Sequence, residues 1–395
     1  MLLEIIFAVL FGVIFGTITG LIPGIHVNLI SVLLIASAGV FLEYVGVEFL
    51  VVFIVAMAVT HTFLDTIPSI FLGAPDGATA LSVLPGHRLL LEGKGLEAVK
   101  LTIIGSLGGL LLSATLYLLL EKVIFLVYPL IKNYIGELLF IVALFIILKN
   151  KKVFRATAVF ILAGTLGYLT LNSRMENSLF PLLTGFFGLS TLIFSMKEKS
   201  CIPKQNNNET IDFVPKKGFF SLVLGTFSGF ITAVLPGIGA STAAAVGSLF
   251  KKDNDAKNFL IMIGSISTVN FFMSIAALSV LGKARNGAII AVQELIIKPP
   301  TSLLILTALI SGGIAVFVAL RVSKKFLKLL ERINYETTIK IVIFSLIIMT
   351  FFLCGLKGWA VLTIATIIGL YANQIGISRN AMMASIMLPV MFYFF

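Results

Sequence analysis

The chain has 395 residues, of which 58% are hydrophobic and only 12% are charged. A soluble protein of this length cannot bury so much apolar surface in one core, so the composition excludes most soluble enzymes and indicates helices that span a bilayer. We attribute the net charge of +11 to Lys and Arg in cytoplasmic loops and expect no nucleic-acid partner. Cys201 and Cys354 are too far apart in sequence to indicate a disulfide framework or a metal site.

The first apolar segment, residues 1–42, is broken at Pro23 and Gly24 and is predicted to form a hairpin of two short arms. Residues 1–87 contain no Lys or Arg, so both ends of this hairpin are expected outside the cell. No basic region precedes the first apolar run, and we therefore expect a retained membrane helix rather than a cleaved signal. A helix near 49–64 then crosses inward.

The rest of the first half is predicted to hold one interrupted stretch and four more spans. The interrupted stretch, residues 65–86, contains too many Pro and Gly residues for a simple span and is expected to be re-entrant or unwound. Further helices are expected near 101–120, 134–148, 156–171 and 177–196. The polar run 197–217 is the clear linker, which divides the chain into a first membrane repeat at 1–196 and a second at 218–395.

The second half repeats this order of parts. Residues 219–250 are predicted to form a hairpin broken at Pro236 and Gly237, with basic residues at both ends, and residues 282–300 form the second interrupted stretch. Helices are expected near 258–281, 301–320, 338–354, 359–373 and 378–395. The basic amphipathic segment 321–332 is expected to be a cytoplasmic helix that lies on the membrane.

The two hairpins are also similar in sequence. Residues 12–25 align without a gap onto residues 225–238, and seven of the fourteen positions are identical, where about one or two matches arise by chance. With the opposed pattern of basic residues, this predicts an all-α polytopic membrane protein with two inverted-topology repeats, a typical feature of secondary transporters. The alternative is that membrane proteins reuse Gly and Pro, so that short matches carry little meaning.

The Pro-Gly breaks are candidates for a binding site because a helix that breaks inside a membrane must have its freed backbone groups satisfied by protein or water. The arm after each break offers free N–H groups and the positive end of a helix dipole, which suits an anion. The candidate substrate-binding residues at the breaks are Pro23, Gly24, His26, Asn28 and Ser31 in the first half, and Pro236, Gly237, Gly239, Ser241 and Thr242 in the second. The alternative is a pair of Pro-kinked helices packed through small residues.

Several polar residues elsewhere in the apolar segments are also candidates, because ionisable groups inside a membrane are costly. His61 and Asp65 are spaced i, i+4 and share one face of a helix, where His61 would relay a proton and Asp65 or Asp76 would hold a cation or proton. The alternative is a buried His–Asp pair that fixes packing. Asn270 is a further inward-facing candidate for substrate binding, or a residue that joins two helices.

Three features together carry a resemblance to a known family: the small-residue segment after Asp65, the run PGHRLLLEGKG at 85–95, and the upstream G-x3-G-x6-PG break. They resemble the large membrane subunit of the tripartite tricarboxylate transporters, the TctA-like permeases, and the resemblance spans most of the chain. This chain is shorter than that subunit usually is, and His26 and Asp76 stand where smaller residues are usual.

The resemblance implies a secondary active carboxylate permease in the cell membrane, coupled to Na⁺ or H⁺, with no other cofactor and no bound metal. It also implies partners, namely a small membrane subunit and an external solute-binding protein, and transporters of this architecture are often homodimers. The small-residue segment adds Gly73, Asp76, Gly77 and Thr79 to the expected substrate contacts.

Two other function classes remain open at this point. An intramembrane metal-dependent enzyme would use His26, His61, Asp65 and Asp76, although the sequence contains neither HExxH nor GxSxG. A channel or scaffold would tolerate Pro23→Ala and Pro236→Ala, which a transporter with paired breaks would not.

Overall fold

The protein is described by a computed structural model as an all-α polytopic membrane protein. The described residues are 2–22, 42–73, 83–173, 175, 177–197, 203–206, 211, 214–234, 240, 243–244, 247, 255–282, 286–296, 299–330 and 335–395. Over these residues there is no strand, and nine helical segments are long and apolar enough to cross a membrane. The prediction of a polytopic helical membrane protein is therefore confirmed.

The first half contains ten helices in the described residues. They are α1 (Leu2–Leu21), α2 (Val47–Leu64), α3 (Thr66–Phe71), α4 (Val83–Leu91), α5 (Gly95–Thr115), α6 (Tyr117–Ile131), α7 (Ile135–Leu148), α8 (Val153–Leu171), α9 (Leu179–Leu183) and α10 (Ser190–Lys197). A π-helical stretch, Thr184–Leu189, joins α9 to α10. Gly73 ends the α2–α3 segment in the left-handed region with φ +65°, which favours glycine at this position.

The second half contains six helices in the described residues. They are α11 (Pro215–Val234), α12 (Ala256–Leu281), α13 (Gly287–Leu295), α14 (Thr301–Leu330), α15 (Tyr335–Gln374) and α16 (Ala384–Phe394). Helix α15 is broken at Gly355, where φ is +62°, so it corresponds to the two helices predicted near 338–354 and 359–373. A short 3₁₀ helix, Arg379–Met383, precedes α16.

The prediction of a separate surface helix at 321–332 is wrong for the described residues. Helix α14 continues from the span to Leu330 without a break, because no Gly or Pro interrupts the sequence there. Leu327 and Leu330 are buried on the same helix, and Phe326 stacks on Phe71 of α3. Packing against the bundle therefore holds this basic segment in line with the span.

Helices α1 and α11 pack in the same way on the helix that follows each of them. A Cβ added at Gly12 would lie 2.7 Å from the Phe53 carbonyl oxygen of α2, and one added at Gly225 would lie 2.6 Å from the Met262 carbonyl oxygen of α12. Such spacing lets the backbones approach closely. One turn further along α1 and α11, Gly16 contacts Met57 and Gly229 contacts Ile266. These partners also lie one turn further along α2 and α12, so each pair of helices is parallel.

The two halves interlock through α2, α5, α12 and α14. Helix α5 packs on α12 of the other half, where Gly105 contacts Ile261 and Gly264 contacts Thr102. Helix α14 packs on α2, where Gly312 approaches Val59 and Phe63. The largest buried cluster draws on all four of these helices and on α1, so the core of the bundle is shared between the halves.

One end of the bundle, which we call the basic end, carries the first turns of α5, α11 and α12. Glu97 and Lys257 form an ion pair of 2.9 Å there, between the starts of α5 and α12. The linker residue Gln205 is docked beside it and accepts a hydrogen bond of 3.0 Å from the Gly95 backbone N–H. Helices α1, α2 and α14 run towards this end and α5, α11 and α12 run away from it.

Candidate transport site

All ten residues predicted at the two breaks, and three of the interrupted segment, lie outside the described residues. These are Pro23, Gly24, His26, Asn28, Ser31, Pro236, Gly237, Gly239, Ser241 and Thr242, together with Asp76, Gly77 and Thr79 of the interrupted segment. The helices that lead into the breaks are described. Helix α1 ends at Leu21 and α11 ends at Val234, each two residues before the proline, and both helices are 20 residues long.

A buried hydrogen-bond network joins the last turn of α1 to α2. The Thr19 hydroxyl donates to the Gly16 carbonyl oxygen at 3.2 Å, and the Thr19 oxygen lies 3.1 Å from His61 Nδ1. Because the hydroxyl proton is already directed at Gly16, the Thr19 oxygen accepts and His61 Nδ1 donates. With Nδ1 as the donor, the imidazole of His61 is in its Nδ1–H tautomer.

A network of the same form joins the last turn of α11 to α12. The Thr232 hydroxyl donates to the Gly229 carbonyl oxygen at 2.8 Å, and Asn270 Nδ2 donates to the Thr232 oxygen at 2.7 Å. Thr19 and Thr232 occupy matched positions in the sequence alignment, as do Gly16 and Gly229. Asn270 therefore occupies in the second half the place that His61 occupies in the first.

Thr19 and Thr232 are the site residues that sequence reasoning missed. Both belong to the seven identities of the aligned run, four residues before the proline of each break. The available signal was a threonine at the same position of both aligned runs, among the apolar residues of a buried helix face. Their role depends on the partner helix, which the alignment of the hairpins alone does not identify.

Asp65 follows α2 directly and lies against α12. Its side chain is 4% exposed, and the Ser267 hydroxyl lies 3.5 Å from Asp65 Oδ2. His61 and Asp65 thus share one stretch of helix, as the i, i+4 spacing predicts, with the Asp65 backbone N–H bonded to the His61 carbonyl at 2.9 Å. The contacts described here direct His61 towards α1 and Asp65 towards α12.

Buried hydroxyl groups line the crossing of α2 with the helices of the other half and with α5. Thr62 and Thr268 are 3.0 Å apart between their hydroxyl oxygens, and Thr66 and Thr102 are 3.1 Å apart. The Thr60 hydroxyl is fully buried beside Gly16, and no hydrogen-bond partner for it occurs in the described part of the chain. Hydroxyl and carboxylate oxygens of this kind suit a small hard cation or a proton relay.

The residues of the metal-enzyme alternative are only partly described. His61 and Asp65 lie close in the structure, whereas His26 and Asp76 fall outside the described residues. Among the residues that the structure covers, no group of three or more His, Cys, Asp or Glu side chains is placed to hold a metal ion. The described residues therefore supply no observation that favours a metal centre.

Comparison with known proteins identifies a family. The sequence model of the tripartite tricarboxylate transporter TctA family matches residues 6–384. An uncharacterized protein of Methanocaldococcus jannaschii is 32% identical over 377 residues, which cover 91% of this chain and 92% of that protein. No solved structure matches this chain.

Proposed function

This chain belongs to the tripartite tricarboxylate transporter TctA family, and from that premise we propose that it is a secondary active permease for small carboxylates. The family is one of transporter components, and the nine apolar helical segments of the described residues place the chain in a membrane. The observation that carries the proposal is the pair of matched networks, Thr19–His61 and Thr232–Asn270, one turn before the two Pro-Gly breaks.

We propose that residues 1–196 and 218–395 are two repeats of inverted topology, joined by a cytoplasmic linker at 197–217. The parallel glycine-mediated packing of α1 and α11, each on the helix that follows it in the described residues, supports this. Matched helices run in opposite directions relative to the basic end. Basic clusters favour the cytoplasm, so the basic end is assigned to the cytoplasmic side of the cell membrane.

In the proposed mechanism the carboxylate binds between the two broken hairpins and is exposed to each side in turn. The helix arms that follow Gly24 and Gly237 would supply backbone N–H groups to the anion. Thr19 and Thr232 would fix the position of each hairpin along the axis of the helix on which it packs, α2 or α12. Each threonine oxygen accepts a hydrogen bond from a donor on α2 or α12. These bonds would couple movement of the breaks to the segments that carry Asp65 and Ser267.

The coupling ion is assigned to the first half, at His61 and Asp65. His61 has a nitrogen that can titrate, whereas Asn270 at the matched position cannot. Asp65 beside Ser267 gives oxygen ligands for a cation or a second proton site. We also propose the usual partners of the family, a small membrane subunit and an external solute-binding protein, and a homodimeric assembly.

The proposal is tested by uptake of labelled di- and tricarboxylates into proteoliposomes under separately imposed Na⁺ and H⁺ gradients, with and without the partner subunits. We expect gradient-driven accumulation that is lost in a Gly24→Leu/Gly237→Leu double variant. His61→Asn should keep binding but lose dependence on the proton gradient. Absence of flux for every carboxylate, with folded protein and both partners present, would overturn the transporter assignment.

A further inference from the structure

Arg379 is a charged residue close to the basic end that the proposed mechanism does not use. It begins the 3₁₀ helix between α15 and α16, and its Nη1 donates 2.7 Å to the Thr191 hydroxyl oxygen of α10. The Thr191 hydroxyl itself donates to the Phe187 carbonyl oxygen, so the Thr191 oxygen is an acceptor for Arg379. The contact thus joins the second half of the chain to the first.

The positive charge of Arg379 is not balanced by an acidic side chain of the described residues. Arg88–Glu92 and Glu97–Lys257 are ion pairs among the described residues, and neither includes Arg379. Burial lowers the pKa of Arg379 to about 10, so the guanidinium is desolvated but still charged at neutral pH. A desolvated charge is stabilised by an opposite charge, and Arg379 is partly exposed rather than fully buried.

The guanidinium is also well supplied with donors. Arginine carries five N–H donors in a planar fork that matches a carboxylate or phosphate. One donor is directed at Thr191, and the structure gives Arg379 no second hydrogen bond among the described residues. Thr191 lies two residues after the π-helical stretch Thr184–Leu189, and such stretches are frequent at functional sites.

His87 of α4 lies within the electrostatic reach of Arg379. Its Nδ1 donates 3.1 Å to the Ile70 carbonyl oxygen of α3, which fixes the Nδ1–H tautomer. Burial lowers the pKa of His87 below its usual 6.5, and the charge of Arg379 lowers it further, against the raising effect of the Ile70 hydrogen bond. A bound anion would offset the field of Arg379 and so favour the protonated ring.

Other charged groups on the elements around His87 are arranged in pairs or lie at the ends of helices. On α4 itself Arg88 pairs with Glu92 at the surface. At the starts of α5 and α12, Glu97 pairs with Lys257, and Lys100 lies one turn further along α5. Asp65 precedes α3, with Ser69 bonded to its carbonyl oxygen at 3.2 Å. Arg379 is the charged residue whose field acts on the ring.

We infer that Arg379 and Thr191 form a second anion site near the basic end of the bundle, and that a carboxylate bound there favours protonation of His87 nearby. Its identification with a carboxylate of the transported solute rests on the proposed function. A phosphate of a lipid headgroup has the same oxyanion chemistry. The carboxylate is favoured because His87 is buried and the site draws on both halves, rather than on one lipid-facing helix.

The site is tested by isothermal titration of the full-length protein in detergent with citrate at about pH 7.5. We expect Arg379→Gln to weaken citrate binding tenfold or more, and Arg379→Lys to weaken it less, because lysine keeps the charge but loses the fork. Arg155→Gln is the matched control, because Arg155 is an exposed basic residue of α8, and it should bind as the wild type does. Wild-type affinity in a monodisperse Arg379→Gln protein would overturn the inference.

A second arm uses oxalate, which stays fully ionised between about pH 6 and pH 8. Because a bound anion raises proton affinity at His87, oxalate should bind more tightly as the pH falls, by several-fold. His87→Asn keeps a donor for the Ile70 carbonyl and should remove this pH dependence. A pH dependence equal in the two proteins would contradict the role of His87.

Two more outcomes distinguish a solute carboxylate from a lipid phosphate, and the anion site from the transport function. Displacement of citrate by soluble short-chain phosphatidylglycerol, but not by phosphatidylcholine, with tighter binding of that lipid than of citrate, would assign the site to a headgroup and overturn the carboxylate. Citrate binding that depends on Arg379 in a protein without carboxylate flux would support the site while the proposed transport function fails. Carboxylate flux together with citrate binding that does not depend on Arg379 would support the transport function and overturn the anion site.

Discussion

The linker residue Gln205 is predicted to hold the middle of the chain against the basic end of the first half. Its side chain is buried, and its hydrogen bonds include three within the described residues: Oε1 accepts from the Gly95 N–H at 3.0 Å, and Nε2 donates to the carbonyl oxygens of Leu90 and Pro203, both at 2.9 Å. The Asn206 N–H also donates to the Gly93 carbonyl oxygen at 2.8 Å. Gln205→Ala would remove the three side-chain bonds and leave the backbone bond.

The expected loss follows from the number and burial of these bonds. A typical hydrogen bond within a protein contributes about 1 kcal/mol net, so three bonds in a site that water re-enters correspond to roughly 2–3 kcal/mol of local stability. Since every 1.4 kcal/mol is tenfold in an equilibrium constant, the docked linker should open roughly 30–100 times more often. Gln205→Glu keeps the acceptor for Gly95 but places a buried carboxylate oxygen against two carbonyl oxygens, so it should open the linker at least as much as Gln205→Ala does.

Limited trypsinolysis of the folded protein in detergent measures this opening, because exposed Lys204 places a cleavage site directly at the docked segment. When opening is fast relative to cleavage, the rate tracks the population of the open form. Mass spectrometry of the fragments would follow cleavage after Lys204 separately from cleavage at the other linker lysines. If Lys204 is cut equally fast in the wild type and in Gln205→Ala, the segment is not held by Gln205 and the reasoning is refuted.

Three further predictions concern helix packing, the matched network and pH. Gly105→Ala should lower the melting temperature in detergent by several degrees because its Cβ would meet the Ile261 carbonyl. Gly313→Ala, where the added Cβ enters open space, should leave the melting temperature unchanged or raise it slightly. Equal effects of the two substitutions would contradict the packing of α5 on α12. Thr232→Val leaves Asn270 Nδ2 without its acceptor and should cost about 1–2 kcal/mol, and an unchanged midpoint of chemical unfolding would argue against the network. The pKa of His87 is lower in the folded than in the unfolded chain, so the unfolded state binds more protons below about pH 6.5 and stability should fall as the pH drops through that range. A His87→Asn protein should lose less stability between about pH 7 and pH 5. Equal losses in the variant and the wild type would contradict this.

The sequence predicted the helices of the bundle well because apolar length is a strong local signal. The two breaks stay predictions, which rest on the effect of Pro and Gly on the backbone, because Pro23, Gly24, Pro236 and Gly237 lie outside the described residues. Helix α14 was divided wrongly because its basic end looks amphipathic in isolation. Phe326 stacks on Phe71, which is 255 residues away in sequence, and this contact keeps the segment in line with the span.

The candidate site was harder to predict, since its polar residues act in pairs that only the fold brings together. His61 and Asn270 were chosen singly as polar residues in apolar segments, and their acceptors Thr19 and Thr232 were not chosen. Threonine is common in membrane helices, where its hydroxyl usually bonds within its own helix. Here each hydroxyl does so and also accepts a second bond from the next helix, a role that depends on the close glycine-mediated contact.

The difference between the two matched networks bears on how a symmetric architecture could couple transport to an ion. The threonine, its carbonyl acceptor and the direction of the hydrogen bond are the same in both halves, so each donor meets the same geometric requirement. An amide meets that requirement with a fixed charge of zero, whereas an imidazole meets it and retains a second nitrogen that titrates. An imidazole in place of an amide therefore changes the protonation chemistry available in one half, while α1 packs on α2 in the same way as α11 packs on α12. Asp65 reinforces this asymmetry, because it lies one turn beyond His61 and the residue one turn beyond Asn270 is Ser274. Under the proposed function, two repeated hairpins would hold the substrate between equivalent breaks, while the coupling ion would bind in the first half alone.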